Sequence, residues 1–215
     1  ILMVLTLDQV LKVYIKTNIH YGDGFDLLGL SWAKIHFVEN EGMAFGLSFG
    51  GVVGKYILSI FRIVMVGFLF YILRNLIKNN ESTGLILSFS LIIAGALGNI
   101  IDSMFYGLIF SESYFHGGLA TLFPEEGGYG HFLTGKVVDM LYFPMIDTIL
   151  PEWLPIWGGE RFEFFRPVFN IADSAITIGV TSILLFHRRF FSSEAAKSAP
   201  IDLVENIEVE PNTEM

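Results

Sequence analysis

Apolar residues gather in four stretches of this chain, about 1–19, 52–73, 84–107 and 168–187, separated by segments of mixed character. A helix needs about 20 apolar residues, at roughly 1.5 Å each, to cross a bilayer, so each stretch predicts a spanning helix. Polar residues inside them recur at helical spacing: Asp8 with Lys12 at i, i+4, Asn99 with Asp102 at i, i+3, and Asn170 with Asp173 at i, i+3. Each group therefore shares one helix face. Ala94, Gly95, Ala96 and Gly98 surround the polar stripe of the third stretch, and small residues let neighbouring backbones come close. The pattern predicts an all-α membrane protein, a four-transmembrane-helix bundle with a polar interior. The long loops, 20–51 and 108–167, carry a different signal. Trp32 to Val38 alternates as a strand does, and Trp153, Trp157, Phe162, Phe164 and Phe165 form an interfacial aromatic belt. A small β-containing loop region lying on the membrane is expected, with the Gly-rich piece 117–130 as a mobile flap or insertion.

Composition agrees, with 53% hydrophobic and 15% aromatic residues and a mean hydropathy of +0.57. The net charge of -9 suggests a cationic partner only until it is located. Glu194, Asp202, Glu205, Glu208, Glu210 and Glu214 face Lys197 alone in the stretch 192–215, which reads as an acidic, disordered tail behind a single membrane domain, 1–191. With no basic patch left, nucleic-acid binding is excluded. The absence of cysteine removes disulfides, thiol nucleophiles and Cys-zinc sites. Ile1 is not an initiator Met, so a few residues are expected ahead of it, and Asp8 and Lys12 argue against a cleaved signal peptide. Basic residues vote weakly on orientation: Arg74, Lys78, Arg188 and Arg189 mark one side, Lys16, Lys55 and Arg166 the other.

An ionisable group near the middle of an inserted helix costs roughly 2.5 to 3.5 kcal/mol, so buried carboxylates call for a reason. Asp102 and Asp173 each lie about five residues from the loop end of their stretches, about 8 Å below the same surface. Asp139, in the apolar run 136–144, joins them if that run docks on the bundle. Two carboxylates at one interface suggest acid and base. Plainer roles stand beside this one: Asp8 with Lys12 as a packing ion pair, Asn40 as an Asx turn before Gly42, Gly95 and Gly98 as packing residues, and Arg62 as a snorkelling side chain. His20, His36, His116, His131 and His187 lack metal-ligand spacing, and nothing places Lys12 beside Ser103 or Ser174 as a Ser-Lys pair would require. A small transporter or channel using intramembrane carboxylates is the alternative, although the chain has no self-similar halves.

Five blocks carry a closer likeness: Asp8-Gln-Val-Leu-Lys12, Phe37-Val-Glu-Asn-Glu-Gly-Met-Ala-Phe-Gly46, Gly95-Ala-Leu-Gly-Asn-Ile-Ile-Asp102, Val137-Val-Asp139 and Phe169-Asn-Ile-Ala-Asp173. In this order the chain resembles the bacterial lipoprotein signal peptidases, the signal peptidase II family. The resemblance implies an aspartic endopeptidase of the bacterial inner membrane that removes the signal peptide of a prolipoprotein just before its diacylglyceryl-modified cysteine. It implies catalytic roles for Asp139 and Asp173, with support from Asp8, Lys12, Asn40, Gly42, Asn99, Asp102, Asn170 and Ala172. It further implies cytoplasmic termini, a periplasm-facing site, no metal or other cofactor, and inhibition by globomycin. Ser103 departs from the family, which usually has arginine there, and the segment 104–136 is longer than usual. Arg62, Arg161 and Arg166 are the candidates to supply the missing charge.

Overall fold

A computed structural model describes residues 1–41, 51–115, 117–188 and 190. Helix α1 (Leu2–Asn18) leads into strands β1 (Gly24–Leu27) and β2 (Leu30–Asn40), then α2 (Gly51–Lys78) and α3 (Thr83–Ile101). Helix α3 widens into a π-helical turn, Asp102–Tyr106, and closes with one further α-helical turn, α4 (Gly107–Ile109). Strands β3 (Val137–Tyr142), β4 (Ile146–Ile149), β5 (Arg161–Phe164) and β6 (Val168–Phe169) precede the last helix, α5 (Ile171–Phe186). Among the described residues, two helical segments, Gly51–Lys78 and Thr83–Ile109, are long and apolar enough to cross a membrane; α5 is apolar but shorter. Along α2 only Gly54, Ser59, Val66, Leu73 and Leu76 are buried, and large apolar side chains such as Ile57, Phe61, Val64 and Phe68 face outward. That much exposed apolar surface is stable only against lipid.

Several boundaries differ from those expected. The second apolar helix runs on to Lys78, so Arg74 and Lys78 lie on the helix and only residues 79–82 form the link. The last helix starts at Ile171, because Val168–Phe169 pairs with β3 instead of continuing the helix. The β structure is also larger than expected. One sheet has the order β1-β2-β3-β6 and β4 pairs with β5 in a second, all antiparallel. The strand read at Trp32–Val38 lies inside β2. The tail 192–215 and the turn region around Gly42 and Gly46 lie outside the described residues.

The Gly-rich insertion is docked, not loose. Phe110 is fully buried and bridges to Leu122, while Phe123 and Tyr129 donate backbone hydrogen bonds to Ile109 and Phe110. The π turn supplies the seat, since widening a helix frees carbonyls from their normal partners. The carbonyls of Ser103, Met104 and Gly107 accept from the backbone N–H groups of Gly135, Leu133 and Gly130. A side chain at Gly135 would put its Cβ 2.1 Å from the Asp102 carbonyl oxygen, so this approach requires glycine. The loop 130–136 is thereby fixed, and with it the start of β3. Val138 and Met140, on one face of β3, pack with Ile15, Phe37, Tyr106 and Phe110, and the two-residue period turns Asp139 to the opposite face. A second apolar core, at Leu73, Leu76, Leu85, Phe89, Ile93 and Ile183, ties α2, α3 and α5 together away from the sheet.

Candidate active site

Helices α1, α3 and α5 meet where small residues allow it. A Cβ at Gly95 would stand 2.1 Å from the Ala172 carbonyl oxygen, and one at Gly98 would stand 2.5 Å from Asp8 Oδ2. Glycine at both positions lets the first turn of α5 and the side chain of Asp8 reach α3. The fully buried Lys12 ammonium lies 2.9 Å from Asp8 Oδ2 and 2.8 Å from Asp102 Oδ2, and donates to Asn99 Oδ1 at 2.9 Å. Asp8 Oδ1 accepts from the Ala172 backbone N–H at 2.9 Å, and Asp102 Oδ2 from the Val138 N–H at 3.3 Å. One ion cluster on α1 and α3 therefore holds both the start of α5 and the middle of β3.

Asn170 and Asp173 do not form a mid-helix stripe; they cap α5. The Asn170 side chain accepts from the Asp173 N–H at 2.9 Å while Asp173 Oδ2 accepts from the Asn170 N–H at 3.3 Å, a capping box. The Asn170 amide Nδ2 also donates to Asp139 Oδ1 at 2.7 Å and lies 3.1 Å from Asn99 Oδ1, and Asn99 Nδ2 donates to Asp173 Oδ1 at 2.8 Å. Asn40, at the end of β2, donates to Asp139 Oδ2 at 3.4 Å. Asp139 and Asp173 thus flank one pair of hydrogen-bonded asparagines. Among the described residues, the donors to both carboxylates are amides, whereas Asp8 and Asp102 meet an ammonium.

Asp139 is buried, with 3% of its surface exposed. Burial pushes its carboxyl up to about 7, helped by the charge of Asp173 and opposed by the Asn40 hydrogen bond, Lys12 and the Asn170 hydrogen bond. Asp173 is half-buried and opens onto a groove of about 390 Å³ lined by Phe165, Pro167, Phe169, Thr177 and Ile178. Such a pair offers a proton donor and an acceptor beside an apolar channel.

Every expected site residue except Gly42, which lies outside the described residues, joins this network. Gln9 was overlooked. Its Nε2 lies 2.9 Å from Asp102 Oδ1 and 3.1 Å from the Gly98 carbonyl oxygen, and the buried Tyr106 donates to its Oε1 at 3.2 Å. Its signal was position alone: three residues before Lys12, it shares that residue's face. Ser103 is buried and donates to the Asn99 carbonyl at 3.0 Å.

Apolar helices exposed along their length, with a buried acid–amide network at one end, define an integral membrane protein with a chemical centre. Comparison with known proteins gives the family. The model of signal peptidase II matches residues 1–189, and the chain belongs to that family of membrane peptidases. The lipoprotein signal peptidase of Porphyromonas gingivalis is 51% identical over 193 residues, 89% of this chain and 82% of its own. That of Amoebophilus asiaticus is 34% identical over 217 residues, 100% of this chain and 86% of its own. Two solved bacterial membrane enzymes share the fold with TM-scores of 0.53. One, at 24% identity, covers 98% of this chain and 91% of its own; the other, at 29%, covers 86% of each. The transporter reading falls with this assignment, and the chain is a hydrolase.

Proposed function

We propose that this peptidase removes the signal peptide from diacylglyceryl-modified prolipoproteins, cutting just before the lipidated cysteine, with Asp139 and Asp173 as its catalytic pair. The observation that carries the proposal is the arrangement of these carboxylates on either side of the Asn99–Asn170 amide pair, one of them buried and pushed up to about 7. Two carboxylates held together share one proton more readily than they ionise twice. The charged partner takes a proton from water as it attacks the scissile carbonyl. The protonated partner hydrogen-bonds the developing oxyanion and then protonates the leaving amine. Acid and base belong to the pair as a unit. Asp8, Lys12, Asn40, Asn99, Asp102, Asn170 and Ala172 hold the pair and the substrate backbone, and Gly42 belongs with them by its place in the family pattern.

In this reading residues 1–191 are one peptidase domain with four spans, in the bacterial inner membrane. The termini are cytoplasmic and the site faces the periplasm. The β4–β5 hairpin, with Trp153, Ile156 and Trp157 exposed near its tip, rests on the outer leaflet. The substrate's acyl chains stay in bilayer hydrocarbon, and globomycin inhibits.

The test is a gel assay with purified enzyme and a diacylglyceryl-modified prolipoprotein. Wild type shortens the substrate; Asp139→Asn and Asp173→Asn lower turnover by about 10³-fold or more while remaining folded. Ordinary turnover in either folded variant rejects the pair.

A further inference from the structure

Arg62 stands about 16 Å along α2 from its first residue, among Phe61, Ile63 and Val64, all exposed apolar side chains. It does not share their direction. It lies three residues after the buried Ser59 and four before the buried Val66, on the stripe of α2 that faces the protein, and is itself half-buried. Ser59 fixes this level of the helix: its hydroxyl donates to the Leu133 carbonyl at 3.0 Å, on the loop seated over the π turn between Asp102 and Asp139. The carboxylates within electrostatic reach of the guanidinium are Asp173, Asp102 and Asp139. Lys12 is already held between Asp8 and Asp102, which leaves the charge of the catalytic pair for another cation to balance. In a bundle surrounded by lipid, that imbalance needs a cation.

We propose that Arg62 is a positioning residue of the peptidase site, the counter-charge that holds the Asp139–Asp173 pair in its singly protonated, singly charged form. The proposal rests on the catalytic pair described above. A guanidinium suits the task because it keeps its charge across the whole working pH range. It opposes protonation of the charged carboxylate at low pH and eases loss of the shared proton at high pH. Both limbs of the rate profile therefore lie lower in pH than they would without it.

The charged groups on the elements around this region are Asp8 and Lys12 on α1, Asp102 after α3, Asp139 on β3, Asp173 on α5, and His131 and Lys136 on the loop that Ser59 touches; α3 itself, Thr83–Ile101, has none. His131→Gln, which changes a residue of the loop that Ser59 touches, serves as the control. The experiment is the pH–rate profile of the purified full chain on a lipid-modified prolipoprotein. Arg62→Gln moves both limbs up by about one pH unit, the order of size expected from removing one charge at a partly buried site. Arg62→Lys and His131→Gln leave both limbs in place. A profile for Arg62→Gln that is lower but not displaced, or a displacement that His131→Gln reproduces, overturns the proposal. If Arg62→Gln does not fold, the same substitution combined with Asp139→Asn and Asp173→Asn must fold, since the charge it balances is gone; failure there also overturns it. Turnover surviving in Asp139→Asn or Asp173→Asn instead defeats the catalytic pair, whatever Arg62 does.

Discussion

Asp8 with Asp102 and Asp139 with Asp173 are two pairs of the same residue joined in one network, yet they are held by different chemistry. The first pair is closed around the Lys12 ammonium; of its other oxygens, Asp8 Oδ1 accepts from the Ala172 backbone N–H and Asp102 Oδ1 from the Gln9 amide. The second is held by the amides of Asn40, Asn99 and Asn170 and by the backbone N–H of Asn170. An ammonium favours the charged form of its partners, whereas a neutral amide orients a carboxylate without supplying a charge. Burial alone thus does not distinguish the two pairs; the ammonium beside one of them does.

Removing the ammonium is the most damaging way to break this contrast. Lys12→Met keeps the volume and strands two buried carboxylates, so it costs about 3–5 kcal/mol; a thermal midpoint in detergent near that of wild type would show that the ion cluster is not structural. Asn99 joins the two regions, accepting from Lys12 and donating to Asp173. Asn99→Ala costs about 1–3 kcal/mol for the unpaired groups it leaves. Turnover should fall by about 10- to 100-fold, and unchanged turnover would uncouple the regions. The smallest effect, taken per pH unit, is a slope. Because the carboxyl of Asp139 is pushed up to about 7 in the fold, its burial is harmless below about pH 4 and increasingly unfavourable up to about pH 7. Its contribution to wild-type stability therefore falls as pH rises through that window, by at most about 1.4 kcal/mol per pH unit. Asp139→Asn flattens the midpoint-against-pH curve there; two parallel curves would contradict the shift.

The polar stripes at Asp8 with Lys12 and Asn99 with Asp102 were legible because a helix repeats over three or four residues and both partners are local. Asp139 was legible as an anomaly in an apolar run but not as a strand residue, since β3 exists only through pairing with β2, about 100 residues earlier, and with β6. The same non-local pairing converts Val168–Phe169 to strand and makes Asn170 and Asp173 a helix cap, contrary to the deeper position their hydropathy suggested. The π turn had no sequence signal apart from Gly135, which its docked loop requires. Gln9, between Asp8 and Lys12 in sequence, carried no role of its own because amides on helices are common and only its distances to Asp102, Gly98 and Tyr106 set it apart.

The order of strands in the larger sheet also governs when the protein can become active. Strand β3 is flanked by a segment made early and by one made late, and the asparagine that orients Asp139 arrives with the final helix. A nascent chain that has released only its first three helices lacks both Asp139 and Asp173. With these two carboxylates as the proposed catalytic pair, hydrolytic power waits for completion of synthesis and insertion, which spares the unfinished polypeptide from premature cleavage.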